Sequence, residues 1–296
     1  MNHPTIGLAL LTALACVHPA QAAERSVDQH QAADPNGTVE IINVAGSLNV
    51  SGWDRSEVAV SGQIGERIDR VELSGSGANT TVRVVGPSAS HWSGDGSARL
   101  TIHVPEHSAL NASVVSADLS VEGVSGAQHL RSVSGSIKSD GGGAARINTV
   151  DGGVQLSVSA NTDAEVVTMS GDVTLKGAGG EVRVTTVSGG GTLTLGAVHS
   201  LRLRTVAGDF KIAARLDPAA AVEVQSVSGD VQLDLNGAAG AQFDVRSLSG
   251  TIHNCSGPQP VEAQYGPGSR LSFSNGDGKA QVRMTSTTGE LELCAK

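Results

Sequence analysis

A five-residue phrase recurs along the chain: an apolar residue, a small residue, glycine, any residue, and a second apolar residue. One copy is Val133-Ser134-Gly135-Ser136-Ile137, and others occupy residues 150–154, 169–173, 206–210, 227–231 and 248–252. With Gly189 included, the glycines stand at 135, 152, 171, 189, 208, 229 and 250, so consecutive steps run from 17 to 21 residues. Self-similarity at a nearly fixed period indicates a repeat architecture. Each step predicts one coil.

The residues around each glycine alternate in polarity. Apolar residues precede the glycine by five positions, at Leu130, Ile147, Val166, Val184, Leu203, Val224 and Val245. They also follow it by two positions, at Ile137, Val154, Val173, Phe210, Val231 and Ile252, with Gly191 as the exception. Serine or threonine precedes it by three positions, at Ser132, Thr149, Thr168, Thr186, Thr205, Ser226 and Ser247.

This alternation predicts two short strands joined by a tight bend, where glycine adopts backbone angles that a β-carbon forbids. Coils stacked about 4.8 Å apart would bring like residues into register. Valine and isoleucine ladders would then fill the core, and the serine and threonine hydroxyls would pair between coils. The fold class is therefore all-β, a parallel β-solenoid.

The chain divides into four segments. Residues 105–296 carry the solenoid repeats and a C-terminal cap; Ala117 takes the glycine place in the first coil. Residues 37–104 are strand-like without a strict period, which predicts an irregular N-terminal cap over the first open edge. Residues 23–36 are polar and predict a disordered linker.

Residues 1–22 resemble a secretory signal peptide. An apolar run from Ile6 to Val17 is too short to span a bilayer, and Ala20-Gln21-Ala22 provides a small-x-small cleavage site. Export to the periplasm or cell surface follows, with no transmembrane segment. Lipidation at Cys16 is the alternative, although Leu14 lies one position away from its usual place in a lipoprotein signal.

Composition narrows the classes of partner. Aromatic residues make up 2% of the chain while glycine is abundant, which favours a core of small β-branched side chains. The 20 basic and 29 acidic residues give a net charge of -9 without a basic cluster. Binding to nucleic acid or anionic lipid is therefore disfavoured.

The order of several motifs resembles the bacterial putative-adhesin β-strand-repeat family, a domain of unknown function. Val50-Ser51-Gly52-Trp53-Asp54 and Val104-Pro105 come first, followed by the repeated phrases. The segments 265–269 (Tyr-Gly-Pro-Gly-Ser) and 287–291 (Thr-Thr-Gly-Glu-Leu) come last. The resemblance covers nearly the whole mature chain and implies a β-solenoid of the cell envelope without catalytic residues. The chain departs from the family pattern at Gly191 and Ala117.

Two clusters could hold a metal ion. Asp172, Asp209 and Asp230 follow the glycine, and Asp209 and Asp230 would stack on adjacent coils, a spacing that suits Ca²⁺. A turn role explains them better, since aspartate favours turns. The segment 103–107 contains His103, Glu106 and His107, but its proline indicates a solvated loop. The sequence predicts no metal site and no cofactor.

Two functions from different classes remain open. The first is a structural or binding module, adhesin-like and without catalysis, whose partner is an envelope glycan or protein. The second is a polysaccharide-active β-helix, a lyase or glycosidase, which needs paired carboxylates and an aromatic platform. A groove with two facing carboxylates and an aromatic side chain would favour the enzyme. The sequence indicates neither the ligand nor the oligomeric state.

Cys255 and Cys294 each stand five residues after a glycine, Gly250 and Gly289. Pro258, Pro260, Pro267 and Gly268 interrupt the repeat between them. This predicts one elongated final coil, with residues 258–278 covering the open end and the two cysteines forming a disulfide. Two free thiols, or a zinc site that includes His253, are the alternatives.

Overall fold

The computed structural model describes residues 25–86, 96–237, 240–263 and 267–295, and strands form all the regular structure there. The signal peptide, Cys16 and Tyr265 lie outside these residues. The strands are β1 Arg25–Ala32, β2 Thr38–Trp53, β3 Glu57–Ile64, β4 Arg70–Ser76, β5 Asn79–Val85, β6 Ala98–Pro105, β7 Ala109–Glu122, β8 Gln128–Ser134, β9 Ile137–Asp140, β10 Ala145–Asp151, β11 Val154–Ser157, β12 Ala164–Ser170, β13 Val173–Gly177, β14 Glu181–Ser188, β15 Gly191–Ala207, β16 Phe210–Ser228, β17 Val231–Asn236, β18 Ala241–Ser247, β19 Ile252–Asn254, β20 Val261–Glu262, β21 Ser269–Asn275, β22 Ala280–Ser286 and β23 Leu291–Ala295.

Each coil contributes one strand before its corner glycine and one after it. The strands before the glycine form a parallel ladder, the pre-glycine sheet, in the order β5, β2, β7, β8, β10, β12, β14, β15, β16, β22, β18. Those after it form the post-glycine sheet, in the order β6, β2, β7, β9, β11, β13, β15, β16, β17, β23, β19. The predicted all-β parallel solenoid is confirmed.

The corner glycines form a column in which an added β-carbon would strain the backbone of most coils, although Ala117 occupies the equivalent place in β7. Gly152 has a φ of 147°, and an added β-carbon would overlap the carbonyl oxygen of Gly135 on the preceding coil. The same overlap recurs where Gly171 meets Gly152 and where Gly208 meets Gly189. Backbone conformation and close stacking therefore both require glycine here.

The predicted apolar ladders fill the interior between the two sheets. Leu130, Ile147 and Val166, five residues before their glycines, are fully buried. Gly191 departs from the pattern because an added β-carbon there would overlap the Val173 carbonyl oxygen on the preceding coil and lie 3.0 Å from the Phe210 ring on the next coil. A large side chain on one coil thus compensates for a missing one on its neighbour.

The serine and threonine ladder is buried as predicted, but its hydroxyls do not pair between coils. Ser132 and Ser226 donate instead to the carbonyl oxygens of Gly135 and Gly229, each at its own corner. Thr168 donates to the Ser170 carbonyl. The hydroxyls of Thr149, Thr186 and Thr205 are buried without a hydrogen-bond partner among the described residues, so the ladder stabilises only some of the corners.

The N-terminal end is more regular than predicted. β2 pairs in parallel with β7 from Thr38↔Ala109 to Ser51↔Glu122, so it is a solenoid coil and not part of an irregular cap. The outer coil, β5 and β6, comes later in the sequence and stacks on the other side of β2. β4 and β3 then close the end by pairing antiparallel to β5 and β6.

The prediction of a disordered linker over residues 23–36 is wrong for residues 25–36, the part that the structure describes. Arg25–Ala32 forms β1, which pairs antiparallel with β3 from Arg25↔Ile64 to Ala32↔Glu57. The segment is polar because an added edge strand is held by backbone hydrogen bonds and needs little burial. Low hydrophobicity therefore did not indicate disorder here.

The C-terminal end reverses the order of its last coils. β22 and β23 insert between the coil of β16 and β17 and that of β18 and β19. The predicted elongated final coil is therefore wrong in its stacking, since the last strands return to an inner position. Residues 258–278 contain β20 and β21, and β21 pairs antiparallel with β18 at the open end.

Cys255 and Cys294 form a disulfide, with Cα atoms 4.9 Å apart. The insertion makes them neighbours, because Cys255 follows β19 and Cys294 lies in the adjacent β23. Among the described residues, no helix has the length and apolar character needed to cross a membrane.

Candidate functional site

An apolar stripe runs along the outer surface of the pre-glycine sheet. It consists of the residues two positions before the corner, and nine of them are large apolar side chains with 43 to 63% of their surface exposed. In stacking order they are Val44, Val115, Val133, Val150, Met169, Val187, Val206, Val227 and Leu248. Thr287 on the inserted coil lies between the last two.

The alternation of the strand explains the position of the stripe but not its chemistry. Thr149, three residues before its glycine, points into the core, so Val150 must point outward. The fold does not require an apolar residue at an outward position. Single exposed apolar residues are common, but a contiguous apolar line is typical of an interaction surface.

The column beside the stripe, four residues before the glycine, contains no carboxylate. It comprises Ile42, Ser113, Arg131, Asn148, Val167, Thr185, Arg204, Gln225, Thr285 and Arg246. One column further out, charged residues are paired within the chain: Arg146 and Arg183 lie 2.7 and 3.6 Å from the Glu165 carboxylate. Arg202 and Glu223 pair at 2.9 Å. The columns six, four and two residues before the glycine together form the stripe face.

The aspartates after the glycine connect successive coils. Asp209 Oδ1 accepts a hydrogen bond from the Asp230 backbone N–H at 2.8 Å, and Asp230 Oδ1 accepts one from Glu290 N–H at 2.8 Å. Asp172 accepts from Gly190 N–H at 3.1 Å. The carboxylates thus satisfy backbone donors at the bends, which fits the turn role expected of them.

Asp118 makes the same contact in the coil of β7. Its Oδ1 accepts hydrogen bonds from the Ser136 backbone N–H at 2.9 Å and the Ser136 hydroxyl at 2.8 Å. These two bonds, the hydroxyl first, hold the pKa of Asp118 below its usual value. Sequence reasoning missed Asp118 because alanine replaces the glycine that marks this position.

His103 and His107 do not come together as metal ligands. His103 lies in β6, where its ring stacks on Trp53 at 4.8 Å and its Nδ1 lies 2.7 Å from Ser51 Oγ. His107 lies in the turn after β6, 2.7 Å from Ser125 Oγ and 3.1 Å from the Glu106 carboxylate. The predicted loop therefore begins after Pro105 rather than at His103.

The contacts of Ser125, His107 and Glu106 resemble a serine hydrolase triad in composition. The Ser125 hydroxyl, however, donates its proton to the Glu106 carbonyl oxygen at 2.9 Å, so that proton is not directed at the imidazole. His107 is 61% exposed in its side chain. A nucleophile needs its proton directed at the base and a site shielded from water. This cluster is a surface hydrogen-bond network.

A shallow groove near the C-terminal end contains two carboxylates and an aromatic ring, the features that would favour a polysaccharide-active enzyme. Glu223 and Asp244 line it together with Phe273. Glu223 is paired with Arg202, and Asp244 with Arg246 at 2.8 Å and Arg270 at 3.6 Å. A glycosidase acid is kept protonated by an apolar environment or a second carboxylate. Glu223 and Asp244 are instead ion-paired with arginines.

The Phe273 ring offers a sugar only a partial platform. It stacks on the buried Phe243 with ring centroids 4.6 Å apart, so that one of its faces is already covered. The groove is better explained as the place where the terminal hairpin packs onto the solenoid.

The side chains of His253, Cys255 and Glu292 cluster at the end of the solenoid, with ligand atoms within 4.8 Å of one another. Glu292 Oε1 lies 3.4 Å from Cys255 Sγ. Because Cys255 is bonded to Cys294, the cluster offers a metal only His253 and Glu292. A structural zinc site needs four ligands, so the residues do not fit the alternative zinc site.

The family model described as Toastrack DUF4097 matches residues 38–293, and the chain belongs to this family. No curated protein matches the sequence. Three solved structures align over most of the chain. A putative cell adhesion protein from Clostridium sporogenes is 9% identical, with 92% of this chain and 100% of that chain covered and a TM-score of 0.25.

A putative adhesin from Bacteroides fragilis is 11% identical, with 93% of this chain and 100% of that chain covered and a TM-score of 0.41. A putative adhesin from Parabacteroides distasonis is 10% identical, with 91% of this chain and 98% of that chain covered and a TM-score of 0.34. Likenesses this distant transfer no property to the chain. The resemblance to the adhesin-like repeat family is confirmed by the family match.

Proposed function

We propose that the chain is an exported, non-catalytic binding module of the cell envelope and that the apolar stripe is its contact surface. The observation that carries this proposal is the repetition of an exposed valine, methionine or leucine on nine of the ten stacked coils of the stripe. The solenoid does not need these side chains for its core. A surface role accounts for their repetition.

The chemistry of the stripe favours a protein over a glycan as partner. Glycan sites combine aromatic platforms with convergent hydrogen-bonding groups, whereas the stripe offers aliphatic side chains and one thioether. A flat apolar line of this kind suits a partner that presents an apolar strand or sheet surface. The signal peptide predicted for residues 1–22 supports export to the envelope.

A comparative capture experiment tests the proposal. The mature protein and a variant carrying Val150→Lys, Met169→Lys and Val187→Lys are immobilised and exposed to envelope extract. Retained proteins and glycans are identified, and each protein lost with the variant is purified and its affinity measured. We expect a protein whose affinity falls at least tenfold with the variant. Equal retention by both forms, or turnover of an envelope polysaccharide, would contradict the proposal.

The matched control carries Gln155→Lys, Thr174→Lys and Thr192→Lys. These residues lie on the same three coils, three positions after the glycine and on the post-glycine sheet. The control adds the same charge without touching the stripe. We expect it to bind like the unmodified protein.

A further inference from the structure

The stripe has a length and a repeat that few partners can match. Its ten positions, stacked at the spacing of paired strands, extend over about 43 Å. A globular protein with an ordinary apolar patch would cover only part of it. Another stack of parallel coils presents the same repeat over the same length, and a second copy of this chain is such a stack.

We infer that the partner of the stripe is a second copy of this chain, joined face to face as a symmetric dimer. The inference rests on the proposed role of the stripe as the contact surface. Two sheets pack about 10 Å apart through interdigitating side chains. A two-fold interface uses the same patch on both copies, so one apolar stripe serves both sides.

The area of the stripe face agrees with a stable dimer. Six strand residues across and ten coils along give about 20 by 43 Å, on the order of 850 Å² per copy. Stable protein interfaces bury about 800 Å² on each partner. The apolar stripe would form the dry centre, and the polar columns would form the rim.

The charge distribution also favours this face. With a net charge of -9, two copies repel each other on most approaches. The column beside the stripe carries Arg131, Arg204 and Arg246 without a carboxylate. The carboxylates of Glu165 and Glu223 are ion-paired with arginines of their own chain. The stripe face therefore does not share the chain's excess of negative charge, since its other two carboxylates are Asp244, which is ion-paired with Arg246 and Arg270, and Glu40.

Sedimentation equilibrium of the purified mature chain tests the inference. We expect a dimer at micromolar concentration and a dissociation constant at least 100-fold weaker for the Val150→Lys, Met169→Lys and Val187→Lys variant. The Gln155→Lys, Thr174→Lys and Thr192→Lys control should dimerise like the unmodified chain. A chain that stays monomeric at about 100 µM, or a stripe variant that dimerises normally, would overturn the inference.

Cross-linking provides a measurement that does not depend on the lysine variant folding. Met169 lies at the middle of the stripe, so Met169→Cys brings two thiols close together in either orientation of a face-to-face dimer. Lys176→Cys, exposed on the other sheet of the same coil, is the control. We expect a covalent dimer from Met169→Cys alone. Equal cross-linking of both variants would overturn the inference.

The outcomes separate the inference from the proposed function. A monomeric chain that still captures an envelope protein through the stripe would refute the second copy as partner and leave the binding module standing. A dimer that captures nothing through the stripe would refute the role toward other envelope proteins and support self-association.

Discussion

Cys255 and Cys294 lie side by side, with Cα atoms 4.9 Å apart, although 39 residues separate them in the sequence. They are neighbours because the last two strands insert beneath the outermost coil, so that β19 pairs with β23. The disulfide thus ties the outermost coil to the inserted one. It closes a loop that contains the terminal hairpin of β20 and β21.

Removing the disulfide should loosen this end of the solenoid selectively. In the chain-entropy model, a bridge closing a loop of this length contributes about 3 to 4 kcal/mol. For Cys255→Ser with Cys294→Ser, we expect faster hydrogen exchange in β18 to β23 and a lower melting temperature, while β8 to β12 exchange as before. Free thiols at both positions in non-reducing peptide maps of the exported protein would contradict this account.

A charge placed in the core should unfold neighbouring coils. Val184 and Val224 are fully buried, so Val184→Asp or Val224→Asp should cost several kcal/mol, because an unpaired buried charge is poorly solvated and each coil supports the next. Arg183 points outward and pairs with Glu165 at 3.6 Å. Arg183→Ser should therefore cost less than about 1 kcal/mol. Equal melting temperatures for the aspartate variants and for Arg183→Ser would mean that the inward and outward faces of the strand are reversed.

Adjacent glycines provide a direct test of the corner column. Gly152 has a φ of 147° and contacts the Gly135 carbonyl, whereas an added β-carbon at Gly153 would find its nearest neighbour, the Asp172 carbonyl oxygen, 3.8 Å away. Gly152→Ala should destabilise the protein by about 1 to 3 kcal/mol. Gly153→Ala should be neutral or slightly stabilising. Chemical denaturation of both variants checks this, and a harmless Gly152→Ala would contradict the close packing of the corners.

Asp118 should make the stability of the fold depend on pH. Its pKa in the folded protein is lowered from 3.8 by the hydrogen bonds from Ser136. A group with a depressed folded pKa stabilises the fold above its unfolded pKa and loses that contribution as the pH falls through the folded value. Asp118→Asn should therefore reduce the stability of the fold at pH 7. Below about pH 3.8, the stability of the variant should fall less steeply with pH than that of the unmodified protein. Parallel pH profiles for both proteins would contradict the role of this contact.

The periodic part of the fold could be predicted because glycine and the flanking apolar residues obey one local rule in every coil. The same rule also applies to Val44-Ala45-Gly46-Ser47-Leu48 in β2, which repeats the phrase far from the other copies. The period does not extend to this copy, because its neighbours in space, β5 and β6, follow it in sequence without the glycine. Coil order at both ends depends on long-range pairing, which a local pattern does not encode.

The candidate site could have been found by asking which side of the strand each phrase residue faces. Val133 begins a phrase but stands in opposite phase to Leu130 and Ser132, so alternation alone places it outside. Its exposure in the structure follows from that phase. What the residues alone did not reveal is that these outward positions form one line along the stacked coils, in which Thr287 is the single polar position.

The most direct test of the stripe as a contact surface is the rate at which peroxide oxidises Met169. Met169 is 56% exposed in the stripe, while Met284 is fully buried in β22 and reports on unfolding. Oxidation is measured by mass spectrometry, on the dilute purified protein and on cells that express the full chain. We predict that Met169 oxidises at least about tenfold more slowly on cells, with Met284 protected in both samples. Equal rates for Met169 in the two samples would show that the stripe stays exposed and would contradict its role in binding.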